Sequence, residues 1–595
     1  MRLVVAVVSL MLSVLALASG ILLRTVWAGA DTVTETITVD HTAPALVMDG
    51  SVLTAHPGRQ SITVVSEEGA DTSDIILVYG RTVDVLAWLS PARFTQVSFD
   101  QVTGELRSAP RLGEQSTVPN PLGSDLWLEQ YAEKQAMRVV LTAGADISVA
   151  IFSDGQRSAP GTVQISWPLN NVSPFSAPLI IIGSLMFVGG IFFLVLHVGN
   201  ERRRRGPRRK TQLAPRPKRV PRAVRKPRTT SLKPRGRRAA PRVGIVLTPV
   251  LTLGLLGACV PATSPSTSGD ELEEGAPQVA EAPVPYPAVT EAQFQRIMSR
   301  IARQVQLADE SLDPGLIEVR MGEPALSMRR AAYLLRNSSE DLGTIVPISA
   351  GPLSLIVPQQ TGEWPRVVFA VLEGNEAQET PALGVVLRQE SPRDNYLLHY
   401  AVALAPDTVL PTFPAASVGA PRIARDSKLL LLSPALTVTG YGNLVEEGSA
   451  SRYAGDFDTL TDSLFSLVGP DGQDLRQESF GTDLDVSLRI DEPDYLSIAL
   501  QTSENGAVVF GALSEVETVR PVQEGATVNA TPSARVFSGV PESPRGFNAR
   551  YDMHVAWFVP PIGSDERIRV IGFSYALVDT QEIPREEASD QEETQ

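Results

Sequence analysis

Three long apolar runs divide the chain, and the stretches after the first and third of them alternate apolar with polar positions. Residues 3–23 carry no charge, with Arg2 before them and Arg24 and Trp27 after. A helix of that length rises about 30 Å, the thickness of a bilayer's hydrocarbon core. The run predicts a transmembrane anchor over 1–24. The other reading is a cleaved signal peptide, with Ala28-Gly29-Ala30 as its cleavage site. The run exceeds the roughly 7–15 apolar residues of a signal peptide, which favours the anchor. Residues 179–198 are as apolar and end close to Arg202-Arg203-Arg204-Arg205. That basic flank predicts a stop-transfer helix rather than a buried soluble one. The third run, 243–260, is shorter and is interrupted by Pro249.

Residues 30–175 have the period of strands. Alternating or β-branched runs at 32–39, 61–65, 74–79, 83–89, 94–99, 139–142, 147–152 and 163–167 are separated by turn signals such as His56-Pro57-Gly58 and Asp154-Gly155. Short strands without a long helix predict an exterior β-sandwich. After residue 288 the period changes. Thr290 and Gln293 form a capping box that opens a helix with Phe294, Ile297, Met298, Ile301 and Val305 on one face. A second helix near 327–336 is followed by strands at 344–349, 353–358, 366–372, 382–389 and 396–404. A similar order recurs: a strand at 428–432, a helix about 457–468, then strands at 484–490, 495–502, 508–519, 551–558 and 567–578. Helices followed by a sheet predict α+β domains at 289–405 and 430–580. The order resembles tandem NTF2-like rolls. Residues 285–580 are expected to fold as one soluble unit, with an acidic disordered tail at 581–595.

Charge sets the orientation of these parts. The formal net charge is −15, but residues 201–242 hold 19 Lys/Arg, seven prolines and a single acid, Glu201. Such a segment buries no core, so a disordered cytoplasmic loop lying on the anionic leaflet is expected. It lacks the interleaved aromatics of a nucleic-acid arm, and no nucleic-acid partner is expected. The positive-inside rule then leaves 25–176 and 264–595 outside, the latter beginning in a flexible tether over 261–288. Residues 25–176 carry 8 basic and 17 acidic residues, and 264–595 carry 23 and 49. One Cys in 595 residues excludes an intramolecular disulfide and a multi-cysteine metal site.

Chemical motifs are scarce. No Walker A, G-x-G-x-x-G, H-E-x-x-H or G-x-S-x-G sequence occurs. No catalytic residue, cofactor or metal site is therefore expected. Arg393-Asp394-Asn395 reads as a hairpin turn. The aromatic-rich strands around His399, His554 and Trp557 are the expected ligand surface, with core or edge histidines as the plainer reading.

The third apolar run ends in Leu256-Gly257-Ala258-Cys259 after Arg235, Arg237, Arg238 and Arg242, and a Pro/Ser/Thr-rich stretch follows. It resembles a bacterial lipoprotein signal, which makes Cys259 a lipidation site. The alternative is a third transmembrane helix in which Cys259 only packs. Arg24-Thr25-Val26-Trp27-Ala28, Gly123-Ser124-Asp125-Leu126-Trp127-Leu128-Glu129 and Ser166-Trp167-Pro168 resemble uncharacterised actinobacterial membrane proteins. Gly322-Glu323-Pro324-Ala325-Leu326 and Arg330-Ala331-Ala332-Tyr333 are similar to actinobacterial lipoproteins of unknown function. The resemblance carries over no activity. The expectation is a non-enzymatic, multi-pass cell-envelope protein binding a cell-wall polymer, a lipid intermediate or an envelope protein. The alternative is an envelope enzyme acting on glycans or glycolipids from the C-terminal region.

Overall fold

The computed structural model describes residues 2–26, 32–38, 43–66, 74–169, 175–204, 285–374, 380–405, 408–495 and 497–585. The basic loop beyond Arg204, the 243–260 run with Cys259, the tether up to 284 and the tail from 586 lie outside them.

The chain divides into two compact units. In the first, helices Arg2–Thr25 and Ser176–Arg204 pack antiparallel. Leu17 meets Gly183 and Leu10 meets Gly190, and Ser9 Oγ donates to Met186 O at 3.0 Å. A Cβ at Gly183 would come within 3.0 Å of the Leu17 backbone nitrogen, so glycine permits the close approach. Leu3–Thr25 and Ser176–Asn200 are each long and apolar enough to cross a membrane.

The second unit opens with a sheet-rich module. Its strands are β1 (Thr32–Thr38), β2 (Ala45–Met48), β3 (Gln60–Val65), β4 (Asp74–Arg81), β5 (Phe94–Asp100), β6 (Glu105–Arg111), β7 (Glu129–Lys134), β8 (Ala136–Leu141), β9 (Ile147–Phe152) and β10 (Thr162–Pro168). They form a four-stranded sheet, β1-β10-β3-β8, and a six-stranded sheet, β6-β5-β2-β9-β4-β7. Ile62, Val64, Ile165 and Trp167 from the first share one core with Leu46, Leu77, Val97 and Ile151 from the second. The expected strand at 83–89 is instead the helix Thr82–Leu89. Asp84, Val85, Trp88 and Leu89 are its buried residues, a helical spacing that the β-branched valines obscure.

The rest of the second unit is α+β. Helices Glu291–Ser311 and Ala325–Ser338 precede β11 (Leu353–Pro358), β12 (Arg366–Leu372), β13 (Leu383–Gln389) and β14 (Leu397–Leu404). The capping box forms as expected: the Thr290 side chain accepts from Gln293 N, and the Gln293 side chain accepts from Thr290 N. Phe294, Ile297, Ile301 and Val305 are buried against Val368, Ala370, Val385 and Leu387. Helices Pro434–Glu447, Ser463–Val468 and Pro470–Phe480 then lead into β15 (Leu484–Asp491), β16 (Ile498–Gln501), β17 (Ala507–Pro521), the short pair β18 (Val528–Asn529) and β19 (Glu542–Ser543), β20 (Phe547–Val559) and β21 (Arg569–Glu582).

The two halves share one sheet. The path runs β11-β12-β13-β14-β21-β20-β17-β15, with β16 pairing β17. Only Ala403↔Phe573 and Leu404↔Gly572 pair β14 with β21. That short joint lets the halves also meet face to face: Phe369, Val386, Tyr400 and Val402 share a core with Val508, Phe510, Ala556 and Phe558. Residues 289–405 and 430–580 are thus halves of one structure rather than two free-standing rolls. Residues 344–349 form no strand, and 428–432 contributes a single bridge, Leu430↔Pro561.

Candidate functional site

Among the described residues of the second unit, two sites with buried polar side chains stand out besides the cluster of Arg476, Glu515 and Glu517. The first is the seam between the sheet-rich module and the α+β region. Asp125 is fully buried and accepts from Arg320 Nη1 at 2.5 Å, Arg300 Nη1 at 2.9 Å and Tyr396 N at 3.0 Å. Asp84 holds Arg366 Nη2 at 2.6 Å and Arg81 Nε at 3.5 Å. Arg366 stacks 3.8 Å from the centre of the Trp364 ring.

Helix periodicity builds half of this seam. With the helix start fixed by its cap, Gln293, Arg296 and Arg300 fall at i, i+3 and i+7, away from the apolar face. Gln293 Nε2 donates to Leu126 O at 2.8 Å, and Arg296 donates to Leu128 O. The turn after β13 supplies the other half. Arg393 donates to Trp88 O at 2.9 Å, and Asn395 Oδ1 accepts from Asp125 N at 3.0 Å. The turn expected at Arg393-Asp394-Asn395 therefore clamps the neighbouring module. A cavity of about 280 Å³ here is walled by Asp125, Gln293, Arg296 and Arg300, all of which have partners inside the protein.

The second place is a cavity of about 270 Å³ where the two halves of the α+β region meet. Glu323 and Pro324 enter from the start of helix Ala325–Ser338, Arg388 from β13, His399 and Tyr400 from β14, and Asp494, Tyr495 and Ile498 from the approach to β16. A β-bulge puts His399 there. Val386 pairs with Tyr400 and Leu387 with Leu398, so no residue of β13 stands opposite His399. Its Nδ1 lies 2.6 Å from Glu323 O. A carbonyl only accepts, so Nδ1 carries the hydrogen and the neutral ring keeps a bare Nε2. Burial lowers the His399 pKa, which holds the ring neutral. Nε2 is buried and has no partner among the described residues. Gly322 makes room for the ring: a Cβ there would come within 2.8 Å of it.

Tyr400 is 1% exposed, and its hydroxyl is also buried without a partner among the described residues. Burial pushes that hydroxyl's pKa up, so it stays protonated. Arg388 is held by Glu390 at 3.0 Å, and Glu323 Oε2 accepts from Ser327 N at 3.1 Å. The site therefore combines neutral groups without partners and anchored charges.

His554 packs behind the cavity, with its ring 5.8 Å from that of Tyr400 at 79°. Trp557 lies on the opposite face of β20, in the core with Tyr441 and Leu513. The expected surface of His399, His554 and Trp557 is thus not one surface. Sequence reasoning missed Tyr400, Glu323, Arg388, Asp494 and Tyr495. The signal available was the Leu397-Leu398 doublet, where strand alternation breaks beside His399. Among the described residues no group of three or more His, Cys, Asp or Glu is placed to hold a metal. A groove of about 2020 Å³ runs along 299–312 and 336–352, and Asp309 in its wall is held by Tyr333 at 2.5 Å and Arg329 at 3.4 Å.

These features define a class: a sheet-rich module locked by buried charge to an α+β region, in a chain with two long apolar helices. Residues 285–582, half of the chain, match the family described as "Domain of unknown function (DUF8094)". The chain belongs to that uncharacterised family. No curated protein and no solved structure matches it.

Proposed function

We infer that the protein is a non-enzymatic, membrane-anchored envelope protein whose sheet-rich module, a β-sandwich, and α+β region act together as one exterior binding body. The His399 cavity carries this reading. Buried hydrogen-bonding groups are normally paired, and an unpaired one costs free energy unless something outside the protein completes it. Two such groups, His399 Nε2 and the Tyr400 hydroxyl, belong to residues of one cavity wall. The enzyme alternative has less support. The buried carboxylates Glu515 and Glu517 are both held by Arg476, at 2.5 and 3.7 Å, and Glu515 also accepts from Tyr575. Glu515 is engaged on both oxygens, and Glu517 meets Arg476 at ion-pair distance.

The antiparallel apolar helices suit two spans with residues 25–176 on one side. The basic run stays cytoplasmic, and either a third span over 243–260 or an acylated Cys259 keeps 264–595 outside. Binding of a cell-wall component, a lipid intermediate or an envelope protein follows from that placement. Reporter fusions test it: those after residues 120 and 400 should be active outside, and one after 220 inside. An exterior signal at 220 would overturn the arrangement. Capture of cell-wall fractions by the full chain tests the binding role, and retention equal to that of an unrelated membrane protein would overturn it.

A further inference from the structure

The His399 cavity offers acceptors and donors together. Among the residues lining it, His399 has a buried Nε2 and Tyr400 a buried hydroxyl, neither with a partner among the described residues, and Asp494 is exposed. Arg388 donates Nη2 to Glu390 at 3.0 Å, while its buried Nε, 3.0 Å from the same carboxylate, makes no hydrogen bond. Tyr400 and Tyr495 add aromatic rings to the wall.

We propose that this cavity binds a neutral, hydroxyl-rich ligand about the size of one sugar ring. The proposal rests on the binding role inferred above and names its ligand class. A hydroxyl both donates and accepts, so neighbouring hydroxyls on one ring can satisfy Nε2 and Asp494 as donors and Tyr400 and Arg388 as acceptors. An ammonium only donates, and it would set a cation against Arg388. A carboxylate or phosphate only accepts, leaving Nε2 unpaired and facing Asp494 and Glu323. The volume of about 270 Å³ falls just below the range of roughly 300–1,000 Å³ typical of drug-sized sites, which suits a single ring. The bulge at His399, the Glu323 carbonyl on Nδ1 and the glycine at 322 fix the imidazole before any ligand arrives, and such preorganisation favours affinity.

The test uses the full chain in lipid nanodiscs free of glycoside detergent, with saturation-transfer NMR as the readout. The probes are methyl α-mannoside and N-acetylglucosamine as neutral sugars, glucosamine as a cation and glucuronate as an anion. Neutral sugars should show transfer. Tyr400→Phe and Asp494→Ala should each weaken their binding roughly five- to tenfold, the effect of one hydrogen bond. Asp494 is exposed, so its variant keeps the test valid even if changes at Tyr400 disturb folding. Transfer confined to glucosamine or glucuronate, and lost in these variants, would overturn the ligand class while leaving the cavity a binding site. No transfer to any probe overturns the cavity proposal. Envelope capture by the same preparation would then show that the broader binding role stands without it.

Discussion

The seam at Asp125 and the cavity at His399 both take polar side chains out of water, and they resolve the cost in opposite ways. At the seam the buried carboxylates find opposite charges, Asp125 with Arg320 and Arg300 and Asp84 with Arg366 and Arg81, while Arg296 and Arg393 donate to backbone carbonyls. In the cavity, Arg388 is held by Glu390 and Glu323 by Ser327 N, while neutral groups of the wall are left without partners among the described residues. A buried ion pair adds little net stability over an apolar pair, yet removing one partner is severe because the other charge stays behind. An unpaired neutral group is a modest standing cost that a ligand can reverse. The seam therefore fixes how two modules are joined, and the cavity is where the molecule has free valence to offer.

Breaking the seam should produce the largest effect. Asp125→Ala strands Arg320, whose side chain is 8% exposed, and should destabilise the second unit by about 3–5 kcal/mol. Thermal unfolding of the full chain, followed by tryptophan fluorescence, reads it. A loss below about 1 kcal/mol would mean that the seam does not hold the modules. Arg300→Ala is the graded control. Arg300 is 23% exposed and Arg320 still covers Asp125, so the loss should be smaller. The same logic says that residues 285–582 alone would leave Arg320 and Arg366 without their carboxylates.

Acidification separates the two regions by a different route. Burial lowers the His554 pKa from 6.5 to about 3. Above pH 6.5 both folded and unfolded states hold the ring neutral, and its contribution is unchanged. Below 6.5 the unfolded chain takes up a proton that the folded one refuses, so stability falls by about 1.4 kcal/mol per pH unit until about pH 3. Between pH 6.5 and 5 that is about 2 kcal/mol. The lowered pKa of His399 acts with the same sign. His554→Phe should flatten this slope relative to wild type, and an unchanged slope would show that the ring is not kept neutral.

A smaller effect tests the element that the seam shares with the core. Thr290→Ala removes the cap that sets the phase of helix Glu291–Ser311 and should cost about 1 kcal/mol, measurable as a drop in Tm. An unchanged Tm would mean that tertiary contacts alone position the helix.

How much of this was legible in the sequence follows from the range of the interactions. The capping box, the apolar face through Ile301 and most strands of both regions could be read because period and caps are local signals. The helix Thr82–Leu89 was misread as a strand, since valines at 83 and 85 favour β structure while the burial of Trp88 and Asp84 is decided by the seam. Asp125 lies in a stretch that looked only family-like, and its partner Arg320 is 195 residues away. No window of sequence joins them. The cavity is similar: β14 supplies two of its residues, but Asp494 and Tyr495 arrive from the other half. Whether the two halves stand apart or share one sheet depends on a two-residue joint at Ala403 and Leu404, and nothing in the alternation of those strands announces it.

The finest test compares the two regions by sign. Tyr400→Phe deletes a buried hydroxyl that has no partner and leaves the ring packed against Phe510, 5.9 Å away, and His554. At the seam, deletion exposes a lost interaction; here it removes only a desolvated group. Without ligand the variant should be as stable as wild type or more stable by up to about 1 kcal/mol, read as an equal or raised Tm. With a saturating ligand the order should reverse, because ligand that binds only the folded state stabilises wild type by more. A Tyr400→Phe chain clearly less stable without ligand would mean that the hydroxyl already has a partner in solution. The contrast between a closed seam and an open cavity would then fail at the cavity's central residue.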